Sequence, residues 1–266
     1  MKDYREKELK MYILACVLLL ICLTKGYSMK METGEKIELS VIMPCLNEES
    51  TVGYCVDEAL QFIQKYDIPG EIIVVDNGSE DLSASVAAGH GARVITEKRK
   101  GYGRAIRTGI DNSSGRILII GDADTTYDFL HLEEIFQPLS DNSYDMVIGN
   151  RYEGGMERGA MPLTHRWGVC LLSFLGRRRY HVDVFDFHCG LRGISAQAVK
   201  KLDFRTDGME FATEMIAEAA RRKLRIKQVP VALRKCDYKR KSKLRTVRDG
   251  IRHLRYIYTG KKISCK

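Results

Sequence analysis

Asp122 and Asp124 stand one residue apart in RILIIGDADTTYD, directly after a stretch so apolar that it must be buried. Side chains at i and i+2 of an extended segment point the same way, so the two carboxylates face one spot. Their repulsion there is unfavourable unless a cation lies between them. Oxygen-only ligands select a hard divalent ion, Mg2+ or Mn2+. Turn formation is the alternative role for the pair, and Asp128 is expected to cap the helix begun by FLHLEEIF. Position favours the metal, because the pair closes a buried strand.

The elements that must hold these acids alternate from residue 37 onward. IELSVIM, EIIVV (71–75), ARVIT (92–96), RILIIGD (116–122) and DMVIG (145–149) read as strands, with helices over Glu48–Tyr66 and around 103–113. Short apolar runs separated by helical stretches predict strands buried on both faces of a mostly parallel sheet. Ligands of such sheets lie beyond the carboxyl ends of the strands. Those ends are Pro44-Cys45-Leu46-Asn47-Glu48, Asp76-Asn77-Gly78-Ser79, Asp122-Ala123-Asp124 and Gly149-Asn150-Arg151. Carboxylates in three of the four predict one site along that edge.

Other motifs carry less. GYGRAIRTG lacks the third glycine of a dinucleotide fingerprint, and packing or loop closure explains its glycines better. HVDVFDFHCGLRGIS (181–195) matches no zinc spacing and reads as a loop approaching the substrate, which makes Arg192 a candidate sugar or acceptor contact. Glu210 and Glu214 lie four apart, on one helical face; either a sugar contact (Glu210 the candidate) or plain surface exposure accounts for them. In the last helix, Leu244, Val247, Ile251, Leu254 and Tyr258 form an apolar stripe, with Arg245, Arg248, Arg252 and Arg255 one position on. Such a helix either lies on a membrane surface or docks its stripe on the protein's own core, the simpler reading.

The chain has 266 residues, 44% hydrophobic and 29% charged, enough for one large α/β domain. Its net charge of +8 conceals an asymmetry. Of 43 Lys and Arg, 18 follow position 220 with only Asp237 and Asp249 beside them, a local +16; the first 220 residues carry −8. A basic tail on an acidic body predicts an anionic partner. Nucleic acid is disfavoured, since the tail has three tyrosines for stacking and no recognition motif. The eight cysteines form no C-x-x-C pair; Cys45, Cys55 and Cys170 have apolar neighbours, as buried free thiols do, which favours a reducing, cytoplasmic setting. MYILACVLLLICL (11–23) falls short of the roughly 20 residues of a spanning helix; a short anchor and an over-extended start before Met29 rank level.

Taken in order, SVIMPCLNEE, EIIVVDNGSED, KGYGRAIRTGI, GDADTTYD, VIGNRY, CGLRGIS, EFATEM and VPVALR…KSKL resemble glycosyltransferase family 2, and within it the polyprenyl-phosphate sugar transferases related to dolichyl-phosphate mannose synthase. The resemblance covers about residues 37 to 245. It implies the A-type glycosyltransferase fold, a Rossmann-like sandwich around a mostly parallel mixed sheet. The chain then divides into an N-terminal extension (1–36), a catalytic domain (37–235) and a basic C-terminal segment (236–266). Carried over residue by residue, Pro44, Leu46 and Glu48 line the nucleotide pocket and Asp76 holds the base. Asp122, Ala123 and Asp124 bind the sugar-nucleotide diphosphate through the metal, and Arg151, Arg234 and Lys243 contact phosphates. The implied reaction is metal-dependent, inverting transfer of a hexose from GDP- or UDP-hexose to a lipid phosphate, at the cytoplasmic membrane face. Another glycan or glycolipid acceptor is the alternative, with a nucleotidyltransferase behind it. Departures from the pattern are Leu46 for a frequent Tyr, Asn77 for the second acid of Asp-Asp, Thr126 for a Gln, Cys189 for a Ser, and KCDYKRKSK without the usual glycine.

Overall fold

A computed structural model describes residues 36–236 and 246–260; all of these from residue 37 on belong to one compact unit, Ile37–Lys266. MYILACVLLLICL, Lys243, Leu244 and Arg245 lie outside the described residues.

Strands β1 (Leu39–Cys45), β2 (Gly70–Asp76), β3 (Arg93–Thr96) and β4 (Ile117–Ile120) alternate with helices α1 (Val52–Lys65), α2 (Ser83–Gly89) and α3 (Tyr102–Asp111). All four residues of β4 are buried, as are the last five of β2. This is the signature of strands covered on both faces. α1 packs Val52, Cys55, Val56, Ala59, Phe62 and Ile63 inward, at the 3.6-residue spacing of one helical face.

The second half contains α4 (Glu133–Ser140), β5 (Met146–Asn150), α5 (Arg151–Gly154), α6 (Leu163–Tyr180), β6 (Arg192–Ser195), α7 (Ala196–Val199), α8 (Phe211–Arg221), β7 (Ile226–Pro230) and α9 (Thr246–Thr259). The sheet order is β3-β2-β1-β4-β6-β5-β7. Only β6 runs against its neighbours, pairing antiparallel with both β4 and β5. The chain leaves β1 toward β2 and β3, then returns to place β4 on the other side of β1. This puts the topological switch point between β1 and β4, where open α/β sheets leave a crevice. The antiparallel β6 has a local consequence: its incoming loop, residues 186–191, arrives at the same edge as the carboxyl ends of β4 and β5.

α9 is not a separate tail. It packs on α6 and α8, with Asp249, His253, Tyr256 and Ile257 buried. The expected docking of its apolar stripe does not occur: Val247, Ile251 and Tyr258 face outward. Nor is the Arg row one solvated face. Arg248 and Arg255 are exposed, whereas Arg252 turns inward to Glu210. Cys170 is likewise exposed rather than buried, because it sits on the outward face of α6.

Candidate active site

The loops beyond β1, β2 and β4 are stitched into one wall. After β1, the Asn47 amide N–H donates to Ser79 Oγ (2.9 Å), and the Asn47 side-chain oxygen accepts from the Glu80 amide (2.7 Å). The Glu48 amide donates to Ser83 Oγ (2.7 Å). The Thr51 hydroxyl then reaches across the switch point to the Ala123 carbonyl (2.8 Å) and lies 3.3 Å from the Glu48 carboxylate. Asn47 (φ 52°) and Thr125 (φ 62°) adopt left-handed backbone at the two loop tips, a conformation that costs free energy and clusters at functional sites.

Three predicted acids, Glu48, Asp76 and Asp124, are each under a tenth exposed, and Asp122 is half-buried. Their fields overlap. Burial, then the charges of Glu48, Asp76 and Asp81, push the Cys45 thiol up to about 12, against a lowering hydrogen bond with Ser83. Burial, with Asp124, Glu58 and Glu48 adding to it, raises the Cys55 thiol too. A wall this negative in low dielectric is an arrangement for a cation.

Each acid of the triplet is separately aimed. Asp124 Oδ1 accepts from the Thr126 amide (3.1 Å) and hydroxyl (2.5 Å). Asp122 lies beside the Tyr102 phenol, which comes from the first turn of α3. That phenol is held well above its ordinary range by burial first, then by the charge of Asp122, with Asp124 adding to it and Arg192 opposing. Gly190, delivered by the loop before β6, leaves room for the Asp122 carboxylate; a Cβ there would meet Asp122 Oδ2. The Gly190 amide is itself fixed by the Tyr127 hydroxyl (2.8 Å). Tyr102 and Gly190 were not singled out from sequence, although both lie in motifs quoted there. Gly101 and Gly103, flanking Tyr102, serve close packing: side chains there would strike Asp207 and Phe211.

Among the described residues no group of three or more His, Cys, Asp and Glu converges as a metal cage. Asp122 and Asp124 nonetheless fit a hard cation, since both are oxygen donors, Asp124 oriented by the Thr126 hydroxyl and Asp122 given room by Gly190. Mg2+ and Mn2+ accept one or two protein carboxylates and complete their shell with phosphate and water.

The remaining candidates have structural partners. Arg151 forms a bidentate pair with Asp186 (2.7 and 2.8 Å), both buried. Its guanidinium is therefore committed, and its place after β5 serves to anchor the 186–191 loop. Arg192, 3% exposed, donates to the carbonyls of Cys189 and Ala212 (both 3.1 Å) rather than facing a ligand. Glu210 is neither a surface residue nor open to a sugar: it is 1% exposed and paired with Arg252 at 2.8 Å. Glu214 is buried as well, accepting from the Thr206 amide (2.8 Å) and hydroxyl (2.6 Å). Arg234 stays near the triplet, its amide donating to the Thr126 carbonyl (2.9 Å) while its side chain pairs with Glu58 and Asp128. Asp128 does not cap α4, whose N-cap is Leu132; it closes a turn through the Leu130 amide (2.9 Å). Asn77, in place of an acid, donates to the carbonyls of Glu97 (3.0 Å) and Arg99 (2.9 Å) and accepts from the Gly101 amide (2.7 Å). Pro44 and Leu46 flank this wall on β1 and its loop, half-buried.

Comparison with known proteins agrees with the geometry. The family model described as glycosyl transferase family 2 matches residues 40–203. The low-salt glycan biosynthesis hexosyltransferase Agl6 of Haloferax volcanii is 36% identical over 220 residues, 82% of this chain and 52% of that protein. The chain thus spans about half the length of that relative. The dolichyl-phosphate hexose transferase of the same organism is 28% identical, over 74% of this chain and 83% of its own. Among solved structures, glucosyl-3-phosphoglycerate synthase from Mycobacterium tuberculosis, in complex with Mn2+, UDP-glucose and glycerol 3-phosphate, superposes with a TM-score of 0.64. It is 25% identical, with 83% of this chain and 79% of that one covered. The switch-point crevice, the acid pair beyond β4 and these likenesses converge: the chain belongs to glycosyltransferase family 2 and has its A-type fold.

Proposed function

We propose that the protein transfers a hexose, with inversion, from a UDP- or GDP-sugar to the phosphate of a polyprenyl-type lipid at a membrane surface. The observation that carries the reading is the acid pair Asp122 and Asp124 at the crevice between β1 and β4, Asp124 held by the Thr126 hydroxyl and Asp122 beside the Tyr102 phenol. A bound Mg2+ or Mn2+ would offset charge developing on the leaving diphosphate, a contribution of several kcal/mol in comparable sites. Asp122 and Asp124 would hold that ion. Asp76, at the end of β2, offers a carboxylate to the N–H groups that uracil and guanine present. Pro44, Leu46 and Glu48 would enclose the nucleotide from the β1 side, with Ala123 beneath the diphosphate. Arg234, beside the triplet, and Lys243 are placed in sequence to meet phosphate, and Arg151 acts indirectly through the loop it anchors.

A lipid phosphate is anionic at neutral pH and needs no general base. Among the described residues His188 and His253 are a buried pair committed to each other and to Thr213. Neither histidine is thus placed to serve as a base at the site, which suits a phosphate acceptor. The relative named as a dolichyl-phosphate hexose transferase supports the same choice.

The test is a thermal-shift screen of UDP- and GDP-hexoses with and without Mn2+, followed by transfer to polyprenyl phosphate. Stabilisation that requires the ion, and its loss together with turnover in Asp124→Asn, is the expected result. Full activity of Asp124→Asn, or of the unaltered protein in excess chelator, overturns the metal role. Transfer to a glycan but not to lipid phosphate overturns the acceptor.

A further inference from the structure

α6 carries large apolar side chains on the wrong side for a water-soluble helix. Leu163, Trp167, Leu171 and Phe174 recur at helical spacing on one face, and Trp167 is 77% exposed. The opposite face does the packing. Leu172, Ser173 and Gly176 are buried, Ser173 Oγ accepts from the Phe187 amide (3.2 Å), and Gly176 lies against the Phe187 ring. α9 repeats the arrangement beside it, buried through His253, Tyr256 and Ile257 and presenting Val247, Ile251 and Tyr258 outward. The two helices touch where the Tyr180 hydroxyl approaches the carbonyls of Tyr256 and Ile257 (3.4 Å each). Single exposed apolar residues are ordinary, but seven on two helices packed against each other mark an interface.

Charge selects the occupant. Arg166, Arg178 and Arg179 of α6 and Arg248 and Arg255 of α9 are exposed. α6 contains no acid, and the one acid of α9, Asp249, is buried. Asp183, in the loop after α6, faces Arg177 at 4.0 Å. A second copy of the chain seated on this face would set the arginines of these helices against each other, with no exposed carboxylate on either helix. Anionic headgroups supply the missing charge, and aromatic side chains between arginines suit the boundary of headgroup and acyl chain. We infer that the outward faces of α6 and α9 form a docking surface for an anionic lipid bilayer, with Trp167 and its apolar neighbours entering the headgroup layer. This goes beyond the transfer reaction and holds whichever lipid accepts the sugar.

Trp167 is the only tryptophan in the chain, so its fluorescence reports on this face alone. The full-length protein is mixed with vesicles of phosphatidylglycerol and phosphatidylcholine in equal parts, with no sugar nucleotide or acceptor present. Failure therefore leaves the reading of the reaction untouched. The expected result is a blue shift of emission, quenching by brominated lipid, and loss of both at high salt or with phosphatidylcholine alone. Leu163→Gln, Leu171→Gln and Phe174→Gln combined, which keeps Trp167, abolishes the shift. Emission that stays water-exposed, whether or not the protein pellets with vesicles, overturns the proposal. So does a blue shift that rises with protein concentration in the absence of lipid and accompanies a doubled mass, since the face is then a dimer contact.

Discussion

The Tyr102 phenol, from the first turn of α3, lies close beside the carboxylate of Asp122 beyond β4 and feels its charge. α3 follows β3, so this contact joins the outer strand of the sheet to the switch point. The other carboxylate of the pair, Asp124, is held by the amide and hydroxyl of Thr126.

Tyr102→Phe removes the hydroxyl beside Asp122 and keeps the ring. Groups that orient a metal-binding carboxylate typically contribute 10- to 100-fold to metal affinity or activity. The variant is expected to keep its melting temperature to within a few degrees and to need roughly tenfold more Mn2+ for nucleotide-sugar binding. A Mn2+ titration of the thermal shift measures this; an unchanged midpoint means that Tyr102 does not position Asp122 for the ion.

Arg151 and Asp186 form a buried pair, and removing one partner strands the other charge in low dielectric. Arg151→Met is expected to lower stability by about 3–5 kcal/mol. Arg151→Met with Asp186→Leu should recover most of that loss, because no lone charge remains. Urea unfolding of the single and double variants makes the comparison. If Arg151→Met unfolds like the parent but binds sugar nucleotide weakly, Arg151 meets phosphate directly after all.

The strands, the helices before and between them, and the acids at the strand ends were legible because period and strand-end position are local properties. The antiparallel β6 was not: RGIS is four residues long with an arginine and a glycine, and only its pairing with β4 and β5 makes it a strand. The same pairing explains Arg192 and Gly190. One reaches carbonyls beneath the sheet edge, the other clears space for Asp122, and neither role exists until β6 is inserted. For α9 the stripe was visible but its direction was not. A helix with apolar residues on one face and Asp249, His253 and Tyr256 on another can bury either, and the outcome is decided by partners on α6 and α8. Glu210 and Arg252 are 42 residues apart, beyond any local signal.

The His188–His253 contact predicts how the attachment of α9 depends on pH. The rings lie 4.5 Å apart, nearly perpendicular, with Thr213 Oγ1 2.8 Å from His253 Nδ1. Burial first, then the positive charges of Arg252 and Arg192, lower His253 from 6.5 to about 4. His188 is lowered also, by burial, His253, Arg151 and Arg192. The folded state therefore holds fewer protons than the unfolded chain between about pH 4 and 6.5, and stability rises with pH across that window. The contribution of His253 is complete above pH 6.5 and is lost as pH falls toward 4, up to about 3 kcal/mol from that one ring. Urea unfolding at pH 7 and pH 5 should show a loss of stability that shrinks in His253→Gln. An equal pH dependence in that variant would mean that other groups carry the effect and that α9 stays docked on acidification.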